Sequence, residues 1–207
     1  DDLAASLGGA SGKGNRIDEY KDYGFEVGGA IVKDRLWAWG AYGKTDVTLL
    51  TLAGTPDQTI LENISFKTSG QATQDLRGTF SYFRGDKKKF GRNASPTRPP
   101  ETTWNQSGPS PVWRGEVNYV LANNLFVTGR YGYVGGGFNL TPQGGLETPR
   151  FVDDSGINRG SYQDYTWVPP QHTASADGSY FRGRHEIKFG FGWRRADTDS
   201  TSLVAGP

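Results

Sequence analysis

The chain has 207 residues, room for one domain, with 23 basic and 22 acidic side chains and a formal charge of +1. That balance gives no whole-molecule attraction for nucleic acid, the absence of Cys excludes disulfides, thiolate catalysis and Cys-ligated metal, and no run of about 18 apolar residues can supply a membrane-spanning helix. The 30 glycines are about twice ordinary usage, and with 6 Trp, 10 Tyr and 11 Phe they oppose disorder and point to a many-stranded β architecture.

In chain order, residues 1–21 open with a Gly/Ser-rich stretch and read as a flexible lead-in. From Asp22 the pattern alternates, with Tyr23, Phe25, Val27, Gly29 and Ile31 on one side of a strand and Asp22, Gly24, Glu26, Gly28 and Ala30 on the other. Lys33-Asp34-Arg35 is a turn, and Leu36 to Lys44 returns as a strand carrying Trp37, Trp39 and Tyr42. A second hairpin runs from Ser65 to Phe83 about Thr73-Gln74-Asp75. A third runs from Trp113 to Tyr133 about Ala122-Asn123-Asn124, alternating Arg114 and Glu116 with Val117, Tyr119 and Leu121, and then Arg130 with Val127, Tyr131 and Tyr133. The fourth starts at His172 and turns at Arg182-Gly183-Arg184. Glu186, Lys188 and Arg194 then alternate with Ile187, Phe189, Phe191 and Trp193. Residues 196–207 read as loop or a truncated end. With no Met anywhere and no terminating element, the chain is expected to be a piece of a longer protein.

The connections are asymmetric. Each hairpin turn is tight, whereas residues 45–64, 84–111 and 134–171 join one hairpin to the next and are rich in Gly, Pro, Asn, Asp and Thr, as solvated loops are. In hydrocarbon a sheet must close into a barrel to satisfy its backbone, with an apolar outer face and a lumen free to be polar. The expected fold is therefore all-β: antiparallel up-and-down hairpins over residues 22–195, about eight strands of a transmembrane barrel. Glu26, Arg114, Glu116, Arg130, Glu186 and Lys188 are assigned to the lumen. Trp37, Trp39, Tyr119, Tyr131, Phe189, Phe191 and Trp193 are assigned to the lipid side. A soluble antiparallel sheet gives the same alternation but not the one-sided loop lengths.

Val32-Lys33-Asp34-Arg35-Leu36-Trp37-Ala38-Trp39-Gly40-Ala41-Tyr42, a turn followed by an aromatic strand, resembles the barrel of TonB-dependent outer-membrane receptors, the Oar-like group in particular. Phe80 to Lys88, Trp113 to Tyr119 and His185 to Gly190 are similar in style. The resemblance implies a bacterial outer-membrane location and a role in nutrient uptake or surface interaction. It also implies as partners the bilayer with its lipopolysaccharide, the remainder of the barrel and its plug, and the energy-coupling TonB protein reached through sequence outside this chain. The plug, the coupling box and the terminal aromatic of that family have no counterpart among these residues. The alternative is a soluble β-rich module binding carbohydrate on exposed Trp and Tyr.

No catalytic, cofactor or metal site is expected, and the chain is read as non-catalytic. His172 and His185 lack H-x-H or H-E-x-x-H spacing. Glu26, Glu116, Asp177 and Glu186 read as lumen charges beside Arg and Lys and not as paired glycosidase acids. Asp153-Asp154 and Asp197-Thr198-Asp199 lack the remaining ligands of a calcium loop. Lys87-Lys88-Lys89 with Arg92 is a basic run that would suit lipid phosphates.

Overall fold

The computed structural model describes residues 14–52 and 54–206, so most of the expected lead-in lies outside the described residues. The chain is all-β. Its strands are β1 (Arg16–Val32), β2 (Leu36–Leu50), β3 (Pro56–Gln71), β4 (Leu76–Arg92), β5 (Trp104–Ala122), β6 (Leu125–Val134), β7 (Phe138–Pro142), β8 (Phe151–Val152), β9 (Asn158–Arg159), β10 (Gln163–Val168), β11 (Gln171–Arg182), β12 (His185–Ala196) and β13 (Asp199–Val204). The single helical element among the described residues is the 3-10 turn Pro100–Thr102.

The main sheet has the order β1-β2-β3-β4-β5-β6-β11-β12, antiparallel throughout, as an up-and-down meander that does not close. β7, β10 and β13 extend it at one end, where β5 pairs β7, β7 pairs β10 and β10 pairs β13. These are continuations of strands already in the sheet. The pairs Ser107–Asn139 and Val112–Val134 lie on one β5 register, and Gln163–Val204 and Gln171–Ala196 keep a single register in the same way. The interruptions fall where the backbone cannot hold a ladder. Gly136 and Gly137 have φ of 152° and 140°, and Pro169-Pro170 has no N–H to donate.

The antiparallel order puts the four tight turns (after β1, β3, β5 and β11) at one end and the three longer connections at the other. Asp34 and Gly183 supply the left-handed backbone of two of these turns, at φ of 61° each. The longer connections differ from solvated loops in two ways. First, β2 runs on to Leu50 and β3 begins at Pro56, and β4 and β5 reach Arg92 and Trp104, so much of residues 45–64 and 84–111 is strand. Backbone pairing continued by neighbours of matching length outweighs the turn-forming side chains. Second, what remains folds into a cap. The Asn158 amide and its backbone N–H donate to the Thr97 carbonyl (2.7 and 2.9 Å), Gln143 Nε2 donates to Thr103 Oγ1 (2.8 Å) and Trp104 Nε1 to the Gln163 carbonyl (2.9 Å). The outer limits shift as well. β1 begins at Arg16 rather than Asp22, paired with Leu50, and Asp199–Val204 is strand rather than terminal loop because β10 is there to receive it.

Among the described residues no second layer covers this sheet. Among the described residues the buried apolar side chains are Pro142 and Ala205, and they lie at the cap end with buried Thr103, Asn158 and Ser161. The sheet itself has no core on either face: Phe25, Val27, Phe191 and Ile187 are 69, 71, 69 and 53% exposed.

Candidate functional site

Directly paired residues of an antiparallel ladder point to the same side, so the registers assign every strand residue to a face. One row runs Trp37–Ser69–Thr79–Glu116–Arg130–Ser175–Gly192. The next runs Trp39–Lys67–Ser81–Arg114–Gly132–Thr173–Arg194. Glu26 pairs Ala41 on the same side, and Lys188 and Glu186 follow Arg194 down β12 at alternate positions. Glu26, Arg114, Glu116, Arg130, Glu186 and Lys188 therefore occupy one face.

Trp37 and Trp39 occupy that polar face too, which corrects their assignment to the apolar side. The bulk of the two indoles suggests that they lead the apolar face of β2, yet that face is built from Leu36, Ala38, Gly40 and Tyr42. Gly40 leaves room for its ladder partners Val27 and Phe66. Trp39 in turn lies over Gly28, where a Cβ would stand 2.8 Å from its ring.

Four charges of the polar face, Arg114, Glu116, Arg130 and Asp177, form one network across β5, β6 and β11. Arg130 donates through Nε to Glu116 (2.9 Å) and through a second nitrogen to Asp177. Asn118 Nδ2 donates to the other Glu116 oxygen at 3.0 Å, and Thr128 Oγ1 donates to Asn118 at 2.8 Å. Arg114 stands 3.6 Å from Glu116, Lys188 stands 3.5 Å from Glu186, and Arg194 donates to the Gln171 side-chain oxygen at 3.0 Å. Asp177, expected from the sequence as a lumen charge, enters the network through Arg130. Its contact with Arg130 depends on the β6–β11 pairing, which only the register reveals.

The opposite face carries Tyr23, Phe25, Val27, Phe66, Phe80, Trp113, Val117, Tyr119, Tyr131, Ile187, Phe189, Phe191 and Trp193. It has no Asp, Glu, Lys or Arg from Tyr23 to Ile31, from Val127 to Gly135 or from His172 to Tyr180, in each case about nine residues of strand, against the 9–11 of a strand that crosses a bilayer. Charge reappears on this face at its two margins: at the tight-turn end in Arg182, and more densely toward the cap in Lys21, Asp46, Arg195, Lys44, Glu62, Arg84, Asp86 and Lys88, where Lys44–Glu62 (3.3 Å), Lys88–Glu62 (3.9 Å) and Arg84–Asp86 (3.0 Å) are joined. Aromatics gather at the margin. Trp113 stacks on Tyr133 with centroids 5.8 Å apart, Tyr133 lies 4.9 Å from the His172 ring, and Tyr131 Oη meets His172 Nδ1 at 2.9 Å. His172 and His185 sit at opposite ends of the β11–β12 hairpin and form no common site. The pleat also divides the basic run. Lys88 points to the apolar side, while Lys87 and Lys89 point to the polar side, where Lys89 donates to Asp57 and Thr59. Among the described residues no group of three or more His, Asp or Glu converges as a metal site.

In the cap, the Asp153 carboxylate accepts the backbone N–H groups of Ser155 (2.9 Å) and Ile157 (3.0 Å) and Nε of Arg159 (3.0 Å), closing the β8–β9 turn. The Ile157 N–H is the chief reason that this carboxyl lies below the usual aspartate range, with the Arg159 guanidinium assisting. A carboxyl lowered on folding stabilises the turn above its unfolded pKa and ceases to do so as pH falls through the lower folded value. The protection of the Ser155 and Ile157 amides, relative to their intrinsic exchange rates, is therefore expected to fall selectively in acid, and Asp153→Asn to abolish that pH dependence. Unchanged protection of both amides after acidification or substitution would contradict this.

Comparison with protein-family models, with curated proteins and with solved structures returned no match to this chain.

Proposed function

We propose that the chain is a segment of a transmembrane β-barrel in a bacterial outer membrane, part of a TonB-dependent receptor that serves nutrient uptake or surface interaction, and that it is not itself an enzyme. The observation that carries this reading is the uncovered, charge-free apolar face, about as tall as a bilayer core and bordered by Trp, Tyr and then charge on its cap side. A patch of that extent on a monomer in water marks an interaction surface. Lipid is an occupant that demands this combination of a charge-free band and an aromatic margin.

Two further features support it. The polar face holds a hydrated ion network that a water-filled lumen accommodates without the desolvation cost of a packed core. The edges β1 and β12 are long and pair with no further strand among the described residues, which suits pairing with further strands of the same barrel. In this reading the cap faces outward and meets the ligand, while the tight turns face the periplasm. Lys88 and Arg84, rather than the whole basic run, lie where lipopolysaccharide phosphates would stand. The plug and the TonB contact belong to sequence outside this chain.

Gel filtration of the 207-residue chain in plain buffer and in non-ionic detergent tests the reading. A monodisperse species is expected in detergent alone. A monomer that melts cooperatively in plain buffer would replace the membrane reading with the soluble carbohydrate-binding module.

A further inference from the structure

The polar face contains a depression of about 460 Å³ whose floor is made of small residues and whose rim is cationic. The side chains of the polar face that line it are Gly132, Thr173, Ser175 and Gly192 as floor and Arg114, Arg130 and Arg194 as rim, with Tyr131, Ala174 and Trp193 of the alternate positions completing the lining. Two ladder rows build it. Arg114–Gly132–Thr173–Arg194 places one arginine at each end of a floor with no side chain larger than threonine. Glu116–Arg130–Ser175–Gly192 runs beside it.

The three arginines are not equivalent. Arg130 is engaged by Glu116 and Asp177, so its charge is balanced within the protein. Arg114 has only the longer 3.6 Å approach to Glu116 and its side chain is 62% exposed. Arg194 donates to the neutral Gln171 and has no acidic partner among the described residues. The two incompletely neutralised guanidiniums thus flank the floor from β5 and β12, three strand spacings apart, or about 14 Å between backbones. Long arms let both planar forks lean inward over the glycines, the geometry that recognises carboxylate and phosphate by paired N–H donors.

We propose that Arg114 and Arg194 bind a small ligand bearing two oxyanionic groups, carboxylate or phosphate, laid across Gly132 and Thr173, with the Thr173 and Ser175 hydroxyls as further donors. Arg130 fixes the floor by tying β5 to β11 through Glu116 and Asp177. This site goes beyond the barrel reading and does not depend on it, because the same face exists whether the opposite one meets lipid or another partner.

Calorimetric titration of the full chain, in whichever of buffer or detergent keeps it monodisperse, tests the proposal with pyrophosphate, succinate and acetate at constant ionic strength. Saturable binding of pyrophosphate or succinate is expected, at least tenfold tighter than acetate, and the tighter of the two assigns phosphate or carboxylate chemistry. Arg114→Gln and Arg194→Gln should each weaken it at least tenfold. Lys67→Gln, which removes the same charge from the same face on β3, should leave it unchanged. Absence of saturable binding by both pyrophosphate and succinate, acetate binding as tightly as succinate, or an equal loss in Lys67→Gln would overturn the proposal.

Discussion

Arginine in place of Phe189 is expected to destabilise the folded chain by about 2–4 kcal/mol if that position lies near the middle of a bilayer, and by less toward either margin. Phe189 is midway along the charge-free stretch of β12, between Ile187 near the tight turn and Trp193 near the aromatic margin. Its ring is 51% exposed and lies over Gly178, where a Cβ would come within 2.6 Å of it. The substitution therefore brings a charge into hydrocarbon and also removes the ring that covers the glycine backbone. Arginine at Ser179, which pairs Lys188 on the polar face, serves as the control and should change stability by no more than about 0.5 kcal/mol. The measurement is the urea midpoint and slope of the chain refolded into liposomes. Equal effects at the two positions would mean that the faces do not differ in environment, and the membrane reading would fall with that result.

The faces themselves were largely legible in the sequence, and the exception shows where alternation stops being informative. On β12, Ile187, Phe189, Phe191 and Trp193 alternate with Glu186, Lys188, Gly190 and Arg194, so polarity alone distinguishes the two sides. On β2 the odd positions begin Trp37, Trp39, Ala41 and the even ones Ala38, Gly40, Tyr42; neither series is charged until Lys44, so hydrophobicity gives no preference except toward the larger residues. Pairing decides instead, through Trp39 with Lys67 and Gly40 with Phe66. The ion pair of Arg130 with Asp177 was hidden for the same reason, since the partners are far apart in sequence and meet only through register. Pattern also underestimated the strands. Loop-forming composition in residues 84–111 predicts loop, while the backbone pairs on through Lys87, Lys88 and Pro109, because a neighbour of equal length offers each N–H and C=O a partner. The cap could not be anticipated from any local signal. It forms from contacts such as Asn158 with Thr97 and Gly206 N–H with the Leu146 carbonyl, which join segments whose only shared property is their end of the sheet.

The cap and the sheet below it should be separable by one substitution, Gly137→Ala. Gly137 has φ of 140°, where an L side chain is strained by about 1–3 kcal/mol, and a Cβ built there would fall inside contact distance of the Trp167 carbonyl oxygen. That oxygen belongs to β10, the strand that β7 must pair if the ladder is to continue past the glycine break. The total cost is therefore expected to exceed the backbone strain alone and to reach about 3 kcal/mol or more. It should also be local. β6, β11 and β12 stay paired below the break through Gly132–Thr173 and Thr173–Arg194, and nothing in that ladder depends on the residue at 137. Amide exchange should show lost protection in β7, β10 and β13, together with the Asn158–Thr97 contact of the cap, while the ladder from Val127 to Tyr133 keeps its protection. Gly129→Ala, on β6 with no neighbour within 4 Å of the new Cβ, should alter neither region. Uniform loss across the sheet would mean that cap and sheet fold as one unit. Loss confined to the cap side would mean that the outer extension can rearrange around a ligand without disturbing the face on which Arg114, Arg130 and Arg194 are held.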